Sequence, residues 1–292
     1  YSNVAKYYWA CKAKPLAKPP LAGYTKGDKG QKNRPLVPRP LVPQVTRSVN
    51  MAQFTIAHLY PDMMNLYGDR GNLICLKKRL EWRGHECLIK SVGLGQDIDF
   101  ESIDMVFMGG GSDREQGLVY EDLITRADGF FNAIEAGLPV LCVCGAYQLL
   151  GEAYIAADGK MLKGLGFFDF ITRGSEPRLI GNVLLEARLN GCNTTVVGFE
   201  NHGGRTYLDD PRLEPFGRVV KGYGNNGQDG GEGIKYKNLI GTYLHGPLLP
   251  KNPAVADFFI NAMAERHGLS SEITPLKDNI ENFAHQQVKF RI

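Results

Sequence analysis

The sequence predicts an α/β fold over residues 51–292, a mainly parallel sheet flanked by helices in one domain. Two observations carry this. From Met51 onward, short apolar runs alternate with longer segments whose apolar residues recur at helical spacing. Glycines close those helical segments, at Gly84 and Gly137.

Phe54–Leu59 (FTIAHL) reads as a buried strand, and Gly71–Arg83 as a helix with Leu73, Leu76 and Leu80 on one face. Glu86–Val92 and Ser102–Met108 are the next strands, the latter running into Gly109-Gly110-Gly111. A helical region over about 119–136 precedes a fourth strand, Pro139–Val143. The second half is richer in strand signals: Thr195–Glu200, Phe216–Lys221 and Leu239–Leu244, with a glycine-rich loop over Gly222–Gly233. Residues 152–190 read as irregular. The last helix is expected over about Pro253–His267, with Val255, Phe258, Phe259 and Ala262 facing the core.

Residues 1–50 are different. They hold seven of the sixteen prolines, ten Lys/Arg and one acid, which is too little apolar surface to offset chain entropy. We expect a disordered Pro/Lys-rich extension: a tail, an expression-derived segment, upstream translated sequence or a basic docking arm. The net charge of +3 therefore conceals a mildly acidic body, with 24 basic and 30 acidic residues after position 50. That argues against nucleic-acid binding. Six cysteines without a CxxC pair suggest free thiols in a reducing, cytoplasmic setting. No apolar run approaches the ~20 residues of a membrane span, so a soluble protein is expected.

The most informative segment is Pro139-Val-Leu-Cys-Val-Cys-Gly-Ala-Tyr-Gln-Leu-Leu-Gly151. A strand ends at Cys144 and a helix begins at once, which would expose the thiol on a sharp turn at the carboxyl edge of the sheet. Helix N–H groups there favour a thiolate and a nearby oxyanion. The pattern is that of a nucleophile elbow, with small residues, Cys142 and Ala146, two positions away on each side. The same local sequence also suits a buried structural cysteine. Cys142-x-Cys144 lacks the second ligand cluster of a metal site, so no metal is expected.

A thiol nucleophile needs a base. His245 follows the strand Leu239–Leu244, and a parallel arrangement would bring it to the same edge as Cys144. His202 follows Thr195–Glu200 in a similar way. His58 lies within a strand, while His85, His267 and His285 sit in polar stretches expected at the surface. The Gly109–Gly111 run lacks P-loop and dinucleotide signatures. A glycine N–H there, of Gly110 or Gly111, could instead face an oxyanion formed at Cys144.

Together the Cys144 elbow, the glycine run, GFENHGGRT (198–206) and GTYLHGP (241–247) resemble class I glutamine amidotransferases of the cobyric acid synthase type. Within that group YPDMMNLYGDRGN (60–72), GGGSDREQ (109–116) and EPRLIGN (176–182) are similar to the GatD family, the glutaminase subunits of lipid II isoglutaminyl synthases. The resemblance covers about 52–270 and implies a flavodoxin-like fold. It implies that Cys144 attacks the glutamine side-chain amide, that His245 moves the protons and that Arg178 binds the substrate α-carboxylate. Class I glutaminases usually carry Glu two residues after the histidine, where this chain has Pro247. Either a Cys–His dyad suffices, or another acid orients the imidazole, with Asp69 and Glu200 as candidates.

This sequence has no P-loop, so the resemblance places ATP and Mg on a partner, the Mur-ligase-like subunit MurT, in a heterodimer. The partner would accept the ammonia and amidate the D-glutamate α-carboxylate of lipid II to D-isoglutamine, a step of peptidoglycan synthesis. The alternatives are the glutaminase component of another ATP-dependent amidating synthetase, such as a cobyrinate-type system, and a scaffold that keeps the fold without the activity.

Overall fold

The computed structural model describes residues 51–65, 68–269 and 274–292. The expected extension over 1–50 lies outside the described residues. Alternating apolar runs build β1 (Gln53–Leu59), β2 (Glu86–Val92), β3 (Met105–Met108) and β4 (Val140–Val143). Between and after them run α1 (Gly71–Glu81), α2 (Asp113–Leu123), α3 (Ala127–Glu135) and α4 (Gly145–Leu149).

The second half forms β5 (Ala153–Ile155), β6 (Met161–Lys163), β7 (Phe170–Leu189), β8 (Cys192–Leu208), β9 (Gly217–Lys221) and β10 (Gly231–Glu232). These are followed by β11 (Ile234–Tyr236), β12 (Leu239–Thr242), β13 (Leu244–His245), α5 (Pro253–Arg266) and α6 (Asn279–Arg291).

The expected parallel sheet has the order β11-β12-β4-β3-β1-β2, with only β11 antiparallel. Its inner strands β1, β3, β4 and β12 are largely buried on both faces, as inner parallel strands must be, while the edge strand β2 is mostly exposed. Phe54, Ile56, Phe107, Leu141 and Val143 pack against α1, α5 and the β7–β8 pair. Ala57, Val106, Met108 and Val140 pack on the other face, against α2 and α3.

A second, mostly antiparallel sheet corrects the irregular reading of 152–190. β5, β6 and the long β7 occupy that stretch, and β7 pairs with β8 along most of its length. The hairpin turns on Asn190 and Gly191, both at positive φ (49° and 78°), as a two-residue primed turn requires. Helix α2 begins earlier than expected because Ser112 and Glu115 form a capping box, and a 3-10 turn at Ile124–Arg126 separates it from α3. The C-terminal α6 is an addition to the expected elements. Among the described residues no helix is long and apolar enough to cross a membrane.

Candidate active site

β12 runs parallel to β4 with Thr242 opposite Val143, so both strands end at one edge. There the Cys144 N–H donates to the Thr242 carbonyl at 2.8 Å. Cys144 has φ 54°, a left-handed conformation strained for a residue with a side chain. It is forced by the immediate switch from β4 into α4. Gly145 completes the elbow, because a Cβ there would lie 2.8 Å from the Gln116 amide nitrogen.

His245 is buried, and its Nδ1 lies 3.1 Å from Asp69 Oδ1. Asp69 is fully buried just before α1. Burial alone would lower the His245 pKa. Its hydrogen bonds to Asp69 and Cys144, and the charges of both, outweigh that and push it up to about 10. The three side chains thus form a line from carboxylate to imidazole to thiol.

Glycines permit the approach. A Cβ on Gly110 would lie 3.2 Å from Cys144 Cβ and 3.4 Å from His245 Cε1. A Cβ on Gly109 would lie 3.2 Å from Asp69 Cβ. The Gly110 N–H donates to Asp69 Oδ2 at 3.1 Å. This corrects the oxyanion reading for Gly110: its amide steadies the carboxylate. Gly111 packs against Met64 and Glu115, and a Cβ there would lie 2.4 Å from the Met64 sulfur.

Arg178 sits exposed on β7 and is clamped by Asn201, whose Oδ1 takes Nε at 3.0 Å and whose carbonyl takes Nη2 at 2.8 Å. Two of three guanidinium nitrogens are thereby fixed in one plane. A nucleophile beside a proton carrier suits cleavage of an acyl group, and the guanidinium fixed by Asn201 suits a carboxylate.

A family model described as a CobB/CobQ-like glutamine amidotransferase domain matches residues 55–253. The chain belongs to that family. Subunit GatD of the lipid II isoglutaminyl synthase (glutamine-hydrolyzing) of Staphylococcus aureus (strain N315) is 45% identical over 239 residues, 82% of this chain and 94% of the relative. GatD of Streptococcus pneumoniae (strain ATCC BAA-255 / R6) is 39% identical over 228 residues, 77% of this chain and 86% of the relative. A probable cobyric acid synthase of Methanothermobacter thermautotrophicus is 33% identical over 162 residues, half of this chain and 30% of the relative. Within its family, this amidotransferase therefore groups with the GatD subunits.

Of the two acids that the amidotransferase sequence offers as partners of His245, Asp69 makes the contact and Glu200 does not. Glu200 stands opposite Leu244 in the β8–β13 pair, while His245 stands opposite Phe199. Opposed residues share a face and neighbours alternate, so Glu200 projects away from the imidazole. It accepts the N–H groups of Tyr223 and Gly224 at 2.8 and 3.0 Å.

His202 lies inside β8, stacked on Tyr243 at 3.7 Å with its Nδ1 on the Gly204 carbonyl. Burial lowers its pKa. His285, expected at the surface, is buried against Thr195 and Lys251. Sequence reasoning missed Gln148, which links Gln116 to Tyr243 beside the elbow, and the fully buried Glu232. Neither belongs to a periodic or spaced motif that would have marked it.

Proposed function

We propose that this chain hydrolyses L-glutamine to glutamate and ammonia at Cys144 and passes the ammonia to a Mur-ligase-like subunit, MurT. That subunit, holding ATP and Mg, would amidate the D-glutamate α-carboxylate of lipid II. The observation that carries the reading is the Asp69–His245–Cys144 line at the edge of the parallel sheet. The two GatD relatives, subunits of lipid II isoglutaminyl synthases, support the choice of acceptor.

In this reading the Cys144 sulfur attacks the side-chain amide carbon of glutamine, and the oxygen takes the developing charge. Its donors would be the N–H groups of Gly111 and of Gly145, the latter following the nucleophile as in other elbows. His245, charged at neutral pH, gives its proton to the departing nitrogen, which leaves as ammonia. The neutral imidazole then takes a proton from water, which attacks the thioester and releases glutamate. Asp69 holds the ring in one orientation throughout. Arg178 receives the α-carboxylate, its guanidinium already set by Asn201.

The test is glutamate release by the full chain, with and without a co-expressed Mur-ligase-like protein. Wild type should release glutamate and Cys144→Ala should not; equal rates would remove the assignment. Amidated lipid II should form only with both proteins and ATP. Glutamate release without any such product would point to a different synthetase, such as the cobyrinate type.

A further inference from the structure

We propose that Glu232 is a positioning residue for the Cys144–His245 pair, acting through the Thr242–Tyr243 link between β12 and β13. The proposal rests on the glutaminase reading of the site.

The link has an awkward task. β12 belongs to the parallel sheet, where the Thr242 carbonyl takes the Cys144 N–H. Three residues on, His245 belongs to the second sheet, paired with Phe199. At the crossover Tyr243 leaves both ladders, and its N–H needs a partner inside the protein. Glu232 supplies it, accepting the Tyr243 N–H at 2.7 Å on Oε1. The Thr242 hydroxyl sits 2.9 and 3.0 Å from the two oxygens of the same carboxyl and accepts the Leu244 N–H at 3.1 Å. One side chain therefore holds the short segment that sets both the amide under the thiol and the course of the chain into the imidazole.

Glu232 is itself held from outside the crossover. It is fully buried, and its neighbour Gly233 (φ 62°) passes so close to β12 that a Cβ would lie 2.2 Å from the Gly241 carbonyl. Asn225 brackets Gly233 with two hydrogen bonds and accepts from Tyr147, three residues beyond Cys144. The carboxyl thus ties the second sheet to the edge where the elbow stands.

Its charge state fits the task. Burial above all pushes the Glu232 pKa up to about 8, against the pull of Tyr243 and Thr242; Glu200 raises it further and His245 opposes. Burial thus favours the uncharged acid, for which glutamine is a close substitute.

The experiment uses the full chain with its synthetase partner and compares wild type, Glu232→Ala, Glu232→Gln and Thr242→Val. Two quantities are read: kcat and KM for glutamine hydrolysis, and the rate at which iodoacetamide alkylates Cys144, located by peptide mass spectrometry without glutamine. Glu232→Ala should lower kcat by about 100-fold, the scale of a misplaced catalytic group, with KM little changed. Alkylation of Cys144 should slow as well. Glu232→Gln should recover most of both losses, and Thr242→Val should show part of them.

The proposal fails if Glu232→Ala melts at lower temperature yet keeps the wild-type kcat and alkylation rate. If that variant does not fold, Thr242→Val decides, and unchanged kcat and alkylation there overturn the proposal. Absence of glutaminase activity in wild type would sink the functional reading alone, because alkylation still reports whether Glu232 positions the thiol and imidazole.

Discussion

Gly71, the first residue of α1, lies directly against Pro247: a Cβ on Gly71 would stand 2.5 Å from Pro247 Cγ. Pro247 occupies the position two residues after His245 where other class I glutaminases place their third catalytic residue. Here that position is a packing surface. It receives the start of α1, and with it Asp69, whose carboxylate reaches His245. The Asn72 side chain reinforces the junction by accepting the Leu249 N–H at 2.9 Å.

Gly71→Ala should therefore disturb the active site without touching it. A proline ring cannot swing aside, so α1 must retreat and take Asp69 with it. We expect kcat to fall roughly 10–100-fold, as misplacement of a catalytic group does. Gly117→Ala is the control, since nothing lies within 4 Å of a Cβ there; that helix position should be neutral or stabilised by about 0.5–1 kcal/mol. Steady-state kinetics and thermal melts of both variants check the pair.

Asp69→Asn should remove the charge and one of the two contacts. The amide oxygen can accept from His245 or from the Gly110 N–H but not from both, and the largest influence holding the imidazole pKa up is gone. Because His245 is raised from 6.5 to about 10, its charged form stabilises the fold fully below pH 6.5. That contribution is lost as pH rises through about 10. Proton donation to the leaving ammonia follows the same limb. In the variant, the alkaline fall in kcat should move to lower pH, and the maximum should drop by about 100-fold or more. A pH–rate profile reads both.

The parallel sheet was legible because each strand and helix repeats its apolar pattern locally. Cys144 and His245 were legible because the elbow and the strand end are local features that need only one inference, parallel pairing, to meet. Asp69 was not, beyond being a candidate. It comes from the chain before α1, 176 positions from His245, and its approach depends on glycines at 71, 109 and 110 making room. Glu200 looked equivalent until the β8–β13 register assigned it to the other face. The β7–β8 hairpin does have a local signal, Asn190-Gly191 between two strand-compatible stretches. Its weak burial alternation, with several exposed residues around Ser175–Arg178, hid the strand.

Arg178→Lys should act on binding more than on chemistry. Lysine carries the charge but not the planar fork that Asn201 holds in place. KM for glutamine should rise by about 10-fold or more with a smaller change in kcat. Asn201→Ala should move KM in the same direction by less, because the Asn201 carbonyl still takes Nη2. Equal KM values for wild type and Arg178→Lys would remove Arg178 from the substrate site.

Arg79→Ala should test what anchors α1 at its other end. The Arg79 side chain is 1% exposed and binds Asp257 of α5 at 2.8 Å and Asp278 at 2.6 Å. Arg83 shares Asp257 at 2.8 Å and also binds the Thr274 carbonyl at 3.0 Å. Removing Arg79 leaves Asp278 without that cation and two groups, Asp257 and Arg83, to rebalance in a site largely closed to water. Breaking such a cluster from one side costs about 3–5 kcal/mol, equivalent in a chain of this size to a fall in melting temperature on the order of 10 °C. Asp278→Asn, which keeps a hydrogen-bond acceptor for Arg79, should cost less. Because the network lies at the far end of α1 from Asp69, kcat of the folded Arg79→Ala protein at low temperature should stay near wild type. A melting temperature unchanged by Arg79→Ala would show that packing of Leu73, Leu76 and Leu80, rather than the ion network, holds the helix that delivers Asp69.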